Sequence, residues 1–113
     1  MRENRQGATA VKTSGSFKPL APLLILIGEL DDWTPAKYCR DLAEAAKAAN
    51  HTVSIKVYSG AHHSFDSIRP VRYLANRINA NSPTGRGATA GGNPQAWIEA
   101  IRDVKSFFAE HLR

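Results

Sequence analysis

The apolar positions of the chain form two short runs in its second quarter and its middle. Residues 23–27 are apolar at every position, which is typical of a central parallel strand that helices cover on both faces. In residues 53–57, valine and isoleucine alternate with Ser54 and Lys56. This alternation predicts a second strand with one wetter face, nearer the edge of a sheet.

A helix is predicted between these two strands. Thr34 followed by Pro35 indicates its start, with threonine as the N-cap and proline at the first helical position. The helix is expected to run to about Ala49, with Asn50 as its stop. A strand, a helix and a strand with short connections form a βαβ unit, whose strands are parallel and whose crossover is right-handed. The predicted apolar stripe of the helix consists of Tyr38, Leu42, Ala45, Ala46 and Ala49.

The second half of the chain predicts less regular structure before a last helix. Residues 69–79 are expected to include a short helix over 71–78, and residues 79–92, rich in Gly, Ser, Asn and Thr, are expected to be a loop. Asn93 and Pro94 repeat the pattern of a cap followed by proline, which predicts the start of the last helix. The large apolar residues of that helix share one stripe: Trp97, Ile101, Val104, Phe108 and Leu112.

The predicted elements do not make a complete sheet. Two strands alone form a marginal sheet, and the run at 23–27 needs cover on both faces. These segments therefore predict the last third to half of a larger, doubly wound α/β sheet. Residues 1–18, polar and small, predict a flexible N-terminal segment, and residues 19–113 predict the partial α/β domain.

Composition agrees with one small folded domain. The chain has 113 residues, of which 42% are apolar, so a packed core is expected rather than disorder. No stretch approaches the roughly 18 to 20 apolar residues of a membrane helix, and no apolar region follows the basic start. No signal peptide is visible, so a soluble, cytoplasmic protein is the default expectation. Cys39 is the single cysteine, so no internal disulfide is possible and the redox compartment is not constrained.

The net charge of +5 is unevenly distributed. Residues 1–18 contribute +3, and residues 69–94 contribute +4 through four arginines without an acid. Such segments attract nucleic acid or an anionic substrate in some proteins, and a basic nucleic-acid-binding fragment is the weakest of the alternatives. Because the tail lacks interleaved aromatic residues and any nucleic-acid-binding motif, a solvated basic surface is favoured. Neither a nucleic acid nor a membrane is expected as a partner.

Two polar patterns follow the predicted strands directly. G-E-L-D at residues 28–31 follows the first strand, and G-A-H-H-S-F at residues 60–65 follows the second. Working residues of open α/β sheets lie beyond the carboxyl ends of the strands, so Asp31 and His63 are expected at one edge of the sheet. An acid there holds a histidine in the tautomer that acts as a general base.

These patterns resemble those of the dienelactone hydrolase-like α/β-hydrolases. In that family one strand leads into G-x-x-D and a later strand leads into a P/S-G-A-x-H-x-F turn. The resemblance covers about residues 19–112 and implies the C-terminal part of an α/β-hydrolase fold, with a parallel βαβ unit and a C-terminal helix. Carried over by position, it implies Asp31 rather than Asp32 as the triad acid and His63 rather than His62 as the triad histidine. It also implies a small-molecule ester or lactone substrate, and no metal or organic cofactor.

The nucleophile of that family is not visible in this chain. Its strand-to-helix elbow requires G-x-S-x-G or the cysteine version, and neither Ser14 nor Ser16 has the flanking glycines. Cys39 follows the acid and lies inside a predicted helix. Since loss of a triad member costs several orders of magnitude in rate, the isolated chain is expected to be inactive or very feeble. It is then a fragment, or it needs a partner that supplies the N-terminal half of the fold; an inactive remnant or binding subunit is the alternative.

Simpler roles stay open for the residues around the two patterns. Asp31 could cap the helix that begins near Thr34. Trp33, beside the acid, could line a substrate pocket or pack under the loop. His62 and Phe65 are further candidates for the substrate pocket.

Two binding motifs are formally present but weak. His62, His63 and Asp66 could form a metal cluster, yet adjacent histidines point apart on an extended chain and no further ligand has a recognised spacing. Residues 85–90 fit the dinucleotide fingerprint G-x-G-x-x-G/A, but they neither follow a predicted strand nor open a helix directly.

Overall fold

A computed structural model describes residues 17–112. The N-terminal segment predicted to be flexible therefore lies, except for its last two residues, outside the described part of the chain. No helix of the described part is long and apolar enough to cross a membrane. The elements in chain order are β1 (Leu23–Gly28), α1 (Ala36–Ala48), β2 (Val53–Tyr58), β3 (Arg72–Ile78), β4 (Arg86–Ala90) and α2 (Pro94–His111).

The predicted βαβ unit is present. β1 and β2 are parallel neighbours, with Leu23 opposite Val53 and Gly28 opposite Tyr58. Their carboxyl ends therefore reach the same edge of the sheet. This register places the acid pattern after β1 next to the histidine pattern after β2.

Helices cover both faces of this parallel pair, as the apolar run of β1 predicts. On one face Leu23 and Ile25 pack against a hydrophobic cluster that contains Ala43 and Ala46 of α1. On the other face Leu26 packs against a cluster that contains Ala96 and Ala100 of α2. Successive side chains of a strand point to opposite faces, so β1 contributes to both clusters.

α1 begins later than predicted. Pro35, with an extended backbone at φ −57° and ψ 138°, precedes the first turn, and no side chain caps the helix. The prediction of Thr34 as N-cap is wrong because its hydroxyl donates to the carboxylate of Asp31 at 2.8 Å instead. The predicted end is confirmed: Asn50 adopts a positive φ of 68° directly after the C-cap residue.

The buried face of α1 also differs from the predicted stripe. Ala36, Ala43 and Ala46 are buried, whereas Ala45 and Ala49 are exposed, and the two larger residues of the stripe are half-buried. Both sets have helical spacing, so periodicity alone does not distinguish them. The face of small side chains meets the sheet, because alanine lets the helix approach the strands closely.

The helix predicted over 71–78 is wrong. This segment forms β3, which pairs in antiparallel orientation with β4, and β4 lies within the predicted loop at 79–92. We call β3, β4 and the turn between them the hairpin. Nearly every β3 side chain is exposed, so burial imposes no alternation on the sequence. The register is also irregular between Leu74 and Ile78.

The predicted start of α2 is confirmed. The Asn93 side chain accepts a hydrogen bond from the backbone N–H of Ala96 at 3.1 Å, and Pro94 is the first helical residue. Small residues again make the closest contact with the sheet, since Ala96 and Ala100 are the buried residues of the helix. Three large residues of the predicted stripe are exposed: Ile101, Phe108 and Leu112.

Candidate functional site

Two loops at the carboxyl edge of the parallel pair bring an acid and a histidine together. We call residues 29–34, after β1, the acid loop, and residues 59–66, after β2, the histidine loop. Oδ2 of Asp31 lies 3.0 Å from Nδ1 of His63. Because an ionised carboxylate has no proton to donate, Nδ1 carries the proton of this hydrogen bond.

Backbone hydrogen bonds join the two loops where the strands end. The N–H of Leu30 donates to the carbonyl of Ala61 at 2.8 Å, and the N–H of Glu29 donates to the carbonyl of Tyr58 at 2.9 Å. The loops approach so closely that a Cβ on Gly28 would overlap the carbonyl of Ala61. The glycine of the first pattern therefore permits the approach that brings the acid to the histidine.

The Asp31 carboxylate is buried, with 6% of the residue exposed, and is fully hydrogen-bonded. Its Oδ1 accepts from the backbone N–H groups of Trp33 at 3.0 Å and Thr34 at 2.7 Å. Its Oδ2 accepts from the Thr34 hydroxyl at 2.8 Å and from His63. All of these donors precede α1 or lie in the histidine loop, so Asp31 does not cap the helix.

The pair is arranged so that each charge stabilises the other. Burial acts to raise the pKa of Asp31, but hydrogen bonds from His63 and Thr34 outweigh it and hold that pKa below its ordinary 3.8. The hydrogen bond to Asp31 raises the pKa of His63 above its ordinary 6.5, against the opposing effect of burial. Opposite charge and hydrogen bonding thus favour the ionised form of both groups.

His63 faces a groove of about 760 Å³ between β1, the two loops and α2. This volume lies in the range of small-molecule sites. With Nδ1 bound to Asp31, Nε2 is the ring nitrogen left for proton exchange with a reacting group. The groove is mainly apolar, and its large apolar side chains are Leu24, Leu26, Ile27, Phe65, Trp97, Ile101 and Val104.

The pocket residues named from the sequence occupy different places. Phe65 is buried and lines the groove. Trp33 does not line it; its indole lies beside the imidazole of His63, with ring centroids 4.9 Å apart, and borders a smaller pocket of about 170 Å³. His62 does not line the groove either, and its buried Nδ1 has no hydrogen-bond partner within residues 17–112.

Cys39 does not have the properties of a reactive thiol. It is half-buried in α1 and does not line the groove. Burial, and then the charge of Asp31, raise the pKa of its thiol above the ordinary 9.0. A cysteine nucleophile requires the thiolate, so this environment disfavours nucleophilic catalysis by Cys39.

The two weak binding motifs lack the structural context that they require. Across residues 17–112, no three His, Cys, Asp or Glu side chains converge in a way that could hold a metal ion. The glycine-rich stretch at 85–90 forms a turn and β4, so it does not lead from a strand into a helix as a dinucleotide site requires.

Comparison with known proteins identifies the family. The sequence model that describes the dienelactone hydrolase family matches residues 13–112 of this chain. The chain belongs to the dienelactone hydrolase family. Neither the curated proteins nor the solved structures contain a match to it. Membership implies an α/β-hydrolase fold, and the parallel βαβ unit followed by α2 is consistent with part of that fold.

In this member of the dienelactone hydrolase family, the hairpin contacts the acid loop in a way that the sequence does not indicate. Asn79, of which 1% is exposed, donates its amide to the carbonyls of Asp32 at 2.9 Å and Gly87 at 2.8 Å. The Asp32 carboxylate in turn accepts from the backbone N–H of Thr89 at 2.9 Å. Asn79 belongs to a polar stretch with no motif, so no sequence signal distinguishes it from its neighbours.

Proposed function

We propose that this chain carries the acid and the histidine of a triad that hydrolyses carboxylic esters or lactones. Asp31 is the proposed acid and His63 the proposed general base. The observation that carries the proposal is the 3.0 Å hydrogen bond between Asp31 Oδ2 and His63 Nδ1 at the wall of the groove. Family membership supports a hydrolase that acts on esters or lactones.

The proposed reaction uses the two ends of the imidazole differently. Nε2 of His63 takes the proton of a nucleophilic hydroxyl or thiol as that group attacks the carbonyl carbon of the substrate. Asp31 stabilises the resulting imidazolium through Nδ1–H. The imidazolium then protonates the leaving alkoxide as the C–O bond breaks, which produces an acyl-enzyme. His63 then deprotonates a water molecule that attacks the acyl carbonyl carbon. The imidazolium returns this proton to the nucleophile as the acyl–enzyme bond breaks, which releases the acid and restores the starting state.

We also propose that the nucleophile comes from a segment that is not part of this chain. The described lining of the groove contains no thiol and two hydroxyls, those of Thr34 and Ser64. The Thr34 hydroxyl is donated to Asp31, and Ser64 follows His63 directly in its loop. Within the described residues, β1 pairs with β2 along one of its two edges. Its other edge can therefore pair with a further strand, such as one that leads into the elbow.

The DNA upstream of this reading frame tests both proposals. We expect an in-frame segment in which a strand leads into G-x-C-x-G or G-x-S-x-G. The protein extended by that segment should hydrolyse an activated aryl ester. His63→Ala should reduce its kcat by about three orders of magnitude or more. His51→Ala, in the connection between α1 and β2 and away from the groove, is the matched control and should leave kcat unchanged.

Two results would contradict these proposals. Turnover by the isolated chain that disappears in His63→Ala would show that the chain contains its own nucleophile. An extended protein without esterase activity, or one whose activity survives His63→Ala, would overturn the proposed role of the histidine. The inactive remnant or binding module would then be the better interpretation.

A further inference from the structure

Trp33 lies between the proposed general base and the hairpin and contacts both. Its indole ring is 4.9 Å from the imidazole of His63, centroid to centroid, with an angle of 48° between the planes. Its Nε1–H donates to the carbonyl of Ile78 at 3.0 Å, and its own carbonyl accepts from the Asn81 amide at 3.1 Å. Both its side chain and its backbone are therefore attached to the hairpin.

The hairpin is also attached to the histidine loop. Gly91 directly follows β4, and its N–H donates to the carbonyl of His63 at 2.9 Å. Ala90, the last residue of β4, pairs with His63 in a parallel β-bridge. The acid loop and the histidine loop are thus both fixed to the hairpin, in addition to their direct contact with each other.

The position of the indole leaves the reactive side of His63 open. His63 lines the groove, whereas Trp33 borders the smaller pocket on the hairpin side. The imidazole therefore has Asp31 at Nδ1, the indole on the hairpin side and the groove in front of it. An aromatic ring held in place restricts the side-chain rotations open to a neighbouring imidazole.

We propose that Trp33 is a positioning residue for His63, and that the hairpin acts on the site by holding Trp33 in place. The indole limits the imidazole to the orientation in which Nδ1 faces Asp31. Its π-system also favours the imidazolium over the neutral ring, because an aromatic ring attracts a neighbouring cation. The catalytic relevance of this role rests on the function proposed above for His63, but its test does not require activity.

The test is an NMR titration of the isolated chain. The ring resonances of His63, assigned by their loss in His63→Ala, report its titration midpoint and its tautomer in wild type, Trp33→Leu and Trp33→Phe. Phe107→Leu is the matched control, since the ring of Phe107 lies beside that of another histidine, His111, with the two ring centroids 4.5 Å apart. That control removes an aromatic ring from α2 and should leave the His63 resonances unchanged.

Each Trp33 variant has a distinct expected result. In Trp33→Leu the His63 midpoint should move to lower pH, and the hydrogen-bonded Nδ1–H signal should broaden as the ring gains freedom. Trp33→Phe keeps an aromatic ring but has no donor for the carbonyl of Ile78. It should therefore lie between wild type and the leucine variant.

Two outcomes would overturn the proposal. A folded Trp33→Leu variant with the wild-type midpoint and tautomer would show that the indole does not position His63. A Trp33→Phe variant with the wild-type His63 midpoint and tautomer would show that the hydrogen bond from the indole to the hairpin does not affect His63. If Trp33→Leu does not fold, Trp33→Phe alone decides. An extended protein without esterase activity would contradict the proposed function and leave these NMR results intact, so the two failures are distinguishable.

Discussion

Oδ2 of Asp31 lies 3.0 Å from Nδ1 of His63, and this contact joins loops whose residues are 32 positions apart in the chain. The same oxygen accepts the Thr34 hydroxyl at 2.8 Å. Since the contact stabilises the ionised form of both partners, titration and stability measurements detect it even where no ester is hydrolysed.

Asp31→Asn should lower the pKa of His63. The hydrogen bond to the carboxylate is the main cause of its present elevation, and an amide provides no compensating charge. The preference for the tautomer with the proton on Nδ1 should weaken as well. NMR titration of the His63 ring measures both, with Asp41→Asn, an exposed acid of α1, as the control. Equal titration of His63 in wild type and Asp31→Asn would contradict the contact.

The free energy of unfolding should depend on pH through the same pair. Folding raises the pKa of His63, so its contribution is fully present below 6.5 and is lost as the pH rises through the folded pKa. Folding lowers the pKa of Asp31, so its contribution is present above 3.8 and is lost as the pH falls through the folded pKa. Between these limits both contributions are present.

Urea unfolding of wild type and Asp31→Asn at a series of pH values measures this dependence. The difference between their unfolding free energies should be largest between pH 3.8 and 6.5 and should shrink on both sides. A difference that is constant across pH would show that the two groups are not linked to folding through their charges.

Thr34→Val should destabilise the fold by about 1.5–3 kcal/mol, because it removes a hydrogen bond to a buried, charged carboxylate while keeping the shape of the side chain. The pKa of Asp31 should rise, since the Thr34 bonds contribute to its depression. Chemical denaturation measures the first effect and NMR titration of the Asp31 carboxyl measures the second. Thr52→Val, at an exposed threonine, is the control and should change neither.

Asn79→Ala should loosen the hairpin from the acid loop. It leaves the carbonyls of Asp32 and Gly87 without their side-chain donor, at a cost of about 2–3 kcal/mol. Hydrogen exchange should become faster at the N–H of Thr89, whose acceptor is the Asp32 carboxylate. Asn76→Ala, at an exposed position of β3, should have little effect on either measurement. Equal exchange at Thr89 in both variants would contradict this role for Asn79.

Several elements could be predicted from local patterns. The uninterrupted apolar run of β1 and the alternation in β2 indicate two strands, and their short connection indicates a parallel pair, which the structure confirms. Asn93 followed by Pro94 marks the start of α2 correctly, because a cap and a proline act within one helical turn. The two patterns after the strands also indicate the family correctly.

The same local reasoning fails where several contacts compete for one side chain, or where packing selects between alternatives that the sequence leaves equal. Thr34 has the chemistry of a helix cap, but a carboxylate three positions earlier binds its hydroxyl. α1 has two possible apolar faces that share Ala46, and packing on the sheet selects the one that also contains Ala36 and Ala43. The hairpin has largely exposed side chains on β3, so its cross-strand hydrogen bonds leave no periodic signal in the sequence.

The sequence by itself determined the parallel βαβ unit, the cap of α2 and the choice of Asp31 and His63 as candidates, because these depend on periodicity, on neighbouring residues and on a motif after each strand. The tertiary structure alone decided how the two candidates are held. The hairpin, Trp33 and Asn79 act through hydrogen bonds and packing between residues far apart in the chain, which no local pattern encodes.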